Sequence, residues 1–70
     1  MIEKEKFYHI VKHWIEHSEE HANEFLNFAK KIENFDFFNN ENKKQSKQIL
    51  EEAGKKLKEV AELLKKLLEV

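Results

Sequence analysis

The sequence contains no cysteine and no proline, and its one glycine is Gly54. Without cysteine the chain can form neither a disulfide framework nor a thiolate metal site. With no proline and a single glycine, almost nothing interrupts a helix. One glycine also cannot build a glycine-rich phosphate loop, so nucleotide binding is disfavoured. Long helices are therefore the expected secondary structure.

Other absences concern location and partners. The 70 residues contain 13 Lys plus Arg and 14 Asp plus Glu, so the chain offers no basic surface for nucleic acid and no polybasic tail for anionic lipid. It has no apolar run long enough for a transmembrane helix, and residues 1–6 lack the features of a secretory signal. We therefore expect a cytoplasmic protein that neither binds nucleic acid nor inserts into a membrane.

The length indicates one domain, residues 1–70, that needs additional support. A chain this short rarely builds a self-sufficient core, because ordering costs about 1.5 kcal/mol per residue and nearly cancels the gain from burial. Small domains are usually supported by disulfides, by a metal ion or by a partner chain. Since cysteine is absent, a metal ion or an oligomer remains.

An apolar pattern predicts a first helix over about residues 3–33. Its members recur at steps of three and four, or sums of these, and at about 100° per residue such a series forms one stripe. The members of this stripe are Phe7, Val11, Trp14, Ala22, Phe25, Ala29 and Ile32. The apolar residues that flank it are Ile10, Ile15, Leu26 and Phe28. The stripe is therefore wider than one partner helix can cover.

A second alternation of three and four predicts a helix over about residues 41–69. Its members are Leu50, Ala53, Leu57, Val60, Leu64 and Leu67, with Ile49, Ala61 and Leu68 beside them. The Asn-rich segment between the helices predicts a loop over about residues 34–40, with Asn39 or Asn40 as the cap. Gly54 costs about 1 kcal/mol relative to Ala in a helix, so it marks either a close helix crossing or tolerated drift.

Two helices of similar length and a short loop predict an all-α protein, a two-helix antiparallel hairpin. Because one helix cannot cover either stripe, we expect two hairpins to dimerise into a four-helix bundle. The loop residues 35–38, Phe-Asp-Phe-Phe, are expected to fold back and plug the end of the bundle. A partner-binding patch is the alternative for this loop.

All histidines of the sequence form one row in the first helix: His9, His13, His17 and His21. Each follows the previous one by four residues, so successive members turn only about 40° and form a lengthwise strip. Side chains at this spacing lie about 5–6 Å apart at Cβ, so two imidazoles can converge on one ion. Carboxylates follow three of the histidines at a spacing of three residues: Glu16, Glu20 and Glu24. The row therefore predicts a metal site.

Mixed ligand sets result, composed of His13, His17 and Glu20, or of His17, His21 and Glu24. Imidazole with carboxylate suits Zn, Ni, Cu or Fe(II), and nickel, zinc and copper are the candidates. The strongest site should lie nearest the apolar stripe, so His9, on the opposite side, should be the most dispensable ligand. One helix offers at most two or three ligands, so the ion must recruit water, the second helix or another subunit.

Two other interpretations of the row remain open: solvated histidines that hydrogen-bond the neighbouring glutamates, and a pH-sensing strip. An enzyme is not expected, because the sequence offers no convincing nucleophile with a base and an orienting acid. The favoured function is a small divalent transition-metal-binding protein, acting as chaperone, store or sensor. The alternative is a non-catalytic helical module for oligomerisation or protein interaction.

The segment 13–22, HWIEHSEEHA, followed by Glu-Phe at 24–25 and Ala-Lys-Lys at 29–31, resembles a small prokaryotic helical domain with the pattern HWIEHNxEHAxxF. That domain is associated with genes for cobalt or nickel uptake. The resemblance implies a homologous metal-related role, with cobalt as a further candidate ion and a metal-transport protein or metalloenzyme as a partner. The residues to which it assigns this role are His13, His17 and His21.

The sequence departs from this pattern at one position and extends beyond it at another. Ser18 stands where the pattern has Asn, and a hydroxyl is a poorer oxygen ligand than an amide carbonyl. His9 lies outside the pattern and gains no role from it.

Overall fold

The computed structural model describes residues 2–70, which form two long helices joined by a short loop. Helix α1 spans Lys4–Lys31 and helix α2 spans Asn40–Lys65. A short 3-10 helix follows each of them, at Ile32–Asn34 and at Lys66–Glu69. Residues 2–70 contain no strand, which confirms the all-α prediction. The sequence pattern had placed the helices at about residues 3–33 and 41–69, with the loop at 34–40.

The two helices run antiparallel along a rod of 53 by 16 by 15 Å. At the open end, the hydroxyl of Tyr8 donates a hydrogen bond of 2.6 Å to the main-chain oxygen of Val70. At the loop end, Lys43 Nζ donates one of 3.0 Å to the carbonyl of Glu33. The start of α1 therefore lies beside the end of the chain, as in a helical hairpin.

Asn39 is the cap that starts α2. Its Oδ1 accepts a hydrogen bond of 2.7 Å from the main-chain N–H of Asn42. The first N–H groups of a helix have no partner within the helix, so this bond satisfies one of them. Of the two candidates from the sequence, Asn39 is the cap and Asn40 is the first helical residue.

Small side chains line the contact between the helices. The buried residues are Val11, Ile15, Ala22, Ala29, Ile32, Gly54 and Ala61. A Cβ atom added at Gly54 would lie 2.9 Å from Leu26 Cγ and 3.1 Å from the carbonyl oxygen of Ala22. Gly54 therefore marks a close helix crossing, the first of the two interpretations that the sequence allowed.

The buried line differs from the predicted one at two positions. Trp14 is 50% exposed while its neighbour Ile15 is buried, and Val60 is 43% exposed while Ala61 is buried. The close approach at Gly54 explains both differences, since closely spaced backbones leave room between them only for small or slender side chains. The large indole of Trp14 therefore lies at the side of the contact.

Part of each apolar stripe stays uncovered, as its width predicted. Phe28 is 48% exposed and Ile49 is 68% exposed. These two side chains line one groove of about 540 Å³ at the loop end, so they lie on the same broad face of the hairpin. On α1, Trp14 lies within about 40° of Phe28 around the helix axis, so it belongs to this face too. We call this surface the apolar face.

The aromatic loop folds back only in part. The ring of Phe35 packs against that of Phe28, with 5.4 Å between the centroids. Phe37 is stacked on Phe35 at 5.5 Å, but it is 76% exposed. The loop therefore covers part of the hairpin end and leaves one phenyl ring in solvent.

The opposite broad face is polar. Lys65 Nζ lies 3.1 Å from a carboxylate oxygen of Glu62 and 3.3 Å from one of Glu19, which joins the two helices. Hydrogen bonds to Glu62 and Glu19 raise the pKa of Lys65 above its ordinary value. The hairpin thus has one apolar and one polar broad face. In the described part of the chain, the helices do not combine the length and apolar character that crossing a membrane requires.

Candidate metal centre

The four histidines lie on one uninterrupted stretch of α1, and all four are exposed. The ring centroids of His13 and His17 are 4.2 Å apart, and those of His17 and His21 are 6.0 Å apart. Two nitrogens bound to one ion lie about 3 Å apart, because each metal–nitrogen bond is about 2.0–2.1 Å long. Small rotations of the exposed His13 and His17 side chains would bring their nitrogens to that separation. This pair is the best-formed part of the candidate site.

His21 contacts the carboxylate that follows it by three residues. Its Nδ1 lies 3.4 Å from Glu24 Oε2, and both side chains are more than half exposed, at 53% and 65%. A carboxylate beside Nδ1 fixes the ring orientation and leaves Nε2 free, which is the usual arrangement behind a metal-bound histidine. The same contact also fits the alternative interpretation, in which the histidine simply pairs with a glutamate in solvent.

The structure brings the predicted ligands together in pairs. Within residues 2–70, no group of three or more His or acidic side chains is arranged to hold an ion. Glu16 and Glu20 are exposed and lie on the same helix, one turn from their histidines. The three-ligand sets deduced from the sequence therefore stay predictions, and each would need a rotated side chain, water or a second chain.

His9 stands apart from these pairs. It lies one turn before His13 and lines a shallow surface pocket together with Ile2 and Glu5. These neighbours belong to the N-terminal end of the hairpin. Its role as an additional, dispensable ligand stays a prediction.

The sequence placed the end of the histidine row nearest the apolar stripe, but it did not show that this part of the stripe stays exposed beside the histidines. His21 lies between Trp14 and Phe28 along α1, within about 20° of each around the helix axis. The apolar face thus contains imidazoles at its centre as well as aromatic rings toward its ends. A second alternation of three and four in α1, beside the buried line, was the signal that could have revealed this arrangement.

The comparisons with known proteins add a family. Residues 7–70 match the family described as a domain of unknown function, DUF8180. A relative from Archaeoglobus fulgidus, described as an uncharacterized protein, is 36% identical over 66 residues, which cover 94% of this chain and 95% of the relative. No solved structure matches the chain. The matched range includes all four histidines and α2, and the chain belongs to the DUF8180 family.

Proposed function

We propose that this protein binds a divalent transition-metal ion through the histidine and glutamate side chains of α1, as a small chaperone, store or sensor. The observation that carries the proposal is the separation of 4.2 Å between the rings of His13 and His17, with His21 one turn further along the same strip. Nickel, zinc, copper and cobalt are the candidate ions, since imidazole with carboxylate suits all four.

The candidate ligands have different roles in this proposal. His13, His17 and His21 supply imidazole nitrogens, and their exposure leaves them open to an ion from solution. Glu24 either orients His21 through the 3.4 Å contact or binds the ion itself. Glu20 is a further carboxylate ligand, reached by rotation of its exposed side chain.

In this proposal, the protein acts in the cytoplasm as a non-catalytic homodimer. The exposed side chains of Trp14, Phe28 and Ile49 support dimerisation into a four-helix bundle, because a second hairpin would cover them. A metal-transport protein or a metalloenzyme would receive or deliver the ion.

Calorimetric titration of tag-free protein with Ni²⁺, Zn²⁺, Co²⁺ and Cu²⁺ tests the metal proposal. We expect His17→Ala to weaken binding by about tenfold or more, because even residues that only support a metal site contribute that much. His9→Ala is the matched control, since it removes an equally exposed histidine from the same helix, and it should change the affinity little. Equal heats for the wild type and for His17→Ala would contradict the proposal.

The exposed apolar face also favours a second candidate, a protein-interaction module with solvated histidines. Replacement of His13, His17 and His21 together by Gln distinguishes the two functions. The interaction module predicts unchanged oligomer size, thermal stability and partner capture, with and without Zn²⁺. The metal-binding function predicts that the variant loses the response of the protein to Zn²⁺.

A further inference from the structure

A second seam runs along α1 beside its buried line. Its members are separated by four, three, four, three and four residues, the spacing of a helix–helix seam. They are Ile10, Trp14, His17, His21, Glu24 and Phe28. The seam is apolar near both ends and polar in the middle, and it forms the α1 half of the apolar face. A helix seated on it would need polar groups at the centre and apolar groups toward the ends.

The α2 half of the apolar face is apolar apart from Lys56, which lies between Ala53 and Val60 and pairs with Glu52 on its own helix at 3.9 Å. Ile49, Ala53 and Val60 lie on the same side of α2 within about 40° of each other, and Ile49 shares a groove with Phe28 of α1. The broad side of the hairpin that contains this face measures 53 by 16 Å, about 850 Å². Each partner in a standard stable interface buries about 800 Å². A dimer that covered the whole broad side would therefore reach the standard size.

The polar middle of the seam determines which partner can bind and in which orientation. A second copy covers the whole face in two ways, with α1 on α1 antiparallel or with α1 on the partner's α2. In the second arrangement, the imidazoles of His17 and His21 would be buried against Ala53 and Val60 of α2 with the positive charge of Lys56 beside them, which disfavours a buried polar group and a metal ion there. In the first arrangement, the polar middle of one copy meets the polar middle of the other.

We propose that a second copy of this chain docks antiparallel on the apolar face, and that His17 and His21 of both copies form one metal site at the centre of the interface. The metal part of this inference rests on the proposed function. Neither copy alone brings three donors together within residues 2–70, whereas the pair brings four imidazoles to one place, the number of ligands that zinc prefers. The site is then complete only in the dimer.

The spacing of the seam fixes the register of the two α1 helices, because the seam positions are arranged symmetrically about residue 19. An antiparallel copy therefore places His17 opposite His21 of the second copy, and Ile10 opposite its Phe28. Glu24 faces the indole of Trp14, whose N–H is a donor for a carboxylate.

The same two-fold axis brings the two α2 helices together, with the exposed, flexible side chain of Lys56 of each copy near the axis. Gly54 lies beside Ala22, and Ala61 packs with Ile15 in the hairpin core. Residue 19 of α1 and Leu57 of α2 therefore lie at the same height along the hairpin. The two-fold axis passes α2 at Leu57. Leu57 then lies level with its own copy, and Ala53 lies within one residue of the level of Val60.

Sedimentation and Zn²⁺ titration of matched lysine variants test the shared site. Val60 lies on the apolar face, whereas the exposed Glu59 lies about 100° away from it around the helix axis, outside this face. The wild type is expected to sediment as a dimer that binds one Zn²⁺ per two chains. Val60→Lys should give a monomer with Zn²⁺ affinity lowered about tenfold or more, although every histidine is intact, and Glu59→Lys should match the wild type.

The outcomes separate this inference from the proposed function. A monomer that binds one Zn²⁺ per chain, with equal affinity in both lysine variants, overturns the shared site and leaves the metal function standing. A dimer that binds no Zn²⁺, Ni²⁺, Co²⁺ or Cu²⁺ overturns the metal function together with the shared site.

A cysteine cross-link tests the register, because the natural chain contains no cysteine that could compete. Leu57→Cys should form a disulfide between copies under mild oxidation, since the residue lies on the proposed axis, and Zn²⁺ should increase the yield. Glu59→Cys is the control, because this exposed residue lies outside the apolar face, and it should stay reduced. Equal yields at the two positions, or none at position 57 in a protein that sediments as a dimer, would overturn the antiparallel arrangement.

Discussion

The cap at Asn39 is a single-residue feature on which the start of α2 depends. Asn39→Ala removes the acceptor for the Asn42 N–H and should lower the free energy of unfolding by about 1 kcal/mol. In a domain of this size such a loss lowers the Tm by about 4–8 °C. Thermal unfolding followed by circular dichroism measures it. Asn40→Ala, at the first helical position, is the control and should change stability by less than about 0.5 kcal/mol.

Replacement of Gly54 by Ala adds one methyl group, which has two opposing effects on stability. Ala is favoured over Gly by about 1 kcal/mol within a helix, but crowding in a packed contact costs about 1–3 kcal/mol. The short distances to Leu26 Cγ and the Ala22 carbonyl, 2.9 and 3.1 Å, favour the second effect. We therefore expect Gly54→Ala to destabilise the protein in chemical denaturation.

Gln48 supplies the matched control for this prediction, because it is exposed and lies within the same helix. Gln48→Ala should be about 1 kcal/mol more stable than Gln48→Gly, which measures the helix preference alone. A gain of the same size for Gly54→Ala would show that the crossing is not tight.

The proposed metal site should depend on pH through its imidazoles. Imidazole binds metal in its neutral form, so protons compete with the ion, and imidazole groups generally titrate near neutrality. The affinity for Zn²⁺ should therefore fall as the pH is lowered from about 7.5 to 5.5. Calorimetry across this range tests the prediction. A pH-independent affinity would mean that the carboxylates of Glu20 and Glu24, not the histidines, hold the ion.

At the scale of the helices, the contact of Lys65 with Glu19 joins α1 to α2 on the polar face. Its hydrogen bonds to Glu62 and Glu19 raise the pKa of Lys65, so the folded protein favours the charged form. The resulting stabilisation is present below the ordinary titration range of lysine and is lost as the pH rises through the raised pKa. Lys65→Met should therefore be less stable than the wild type at neutral pH, and this difference should vanish in strongly alkaline solution.

Equilibrium unfolding at several pH values measures this contribution. Lys66→Met is the control, since Lys66 is the exposed next residue, at the start of the following 3-10 helix. A loss of stability in Lys65→Met that persists unchanged in alkaline solution would point to packing of the lysine stem, not to its charge.

The helices themselves followed from the sequence because their causes are local. The spacing of apolar residues, the absence of proline and the capping preference of Asn39 each act within one or two turns. The choice between Trp14 and Ile15 as the buried residue did not follow, because it depends on the close approach at Gly54, a contact between distant parts of the chain. Whether a segment forms a helix is thus decided by nearby residues, whereas the side of the helix that becomes buried is decided by how the two helices pack.

At the scale of the whole molecule, the row of histidines was visible in the sequence, but its position on the hairpin was not. The spacing of four residues placed the imidazoles on one strip. Their place beside Trp14 and Phe28 depends on which part of each stripe the other helix leaves uncovered. The hairpin thus brings part of the histidine row and several exposed apolar side chains to one surface, which is the basis for both proposals.

The central claim is that the histidine row of α1 binds a metal ion, and NMR of the imidazole ring nitrogens during a Zn²⁺ titration of tag-free protein tests it most directly. We expect Zn²⁺ to shift the ring-nitrogen resonances of His17 and His21 strongly at stoichiometric concentration, while His9 responds little. His13 should shift with them if the site lies within one chain, and should stay in place if two chains share the site. Four resonances that stay in place, or that move together only at large metal excess, would contradict it.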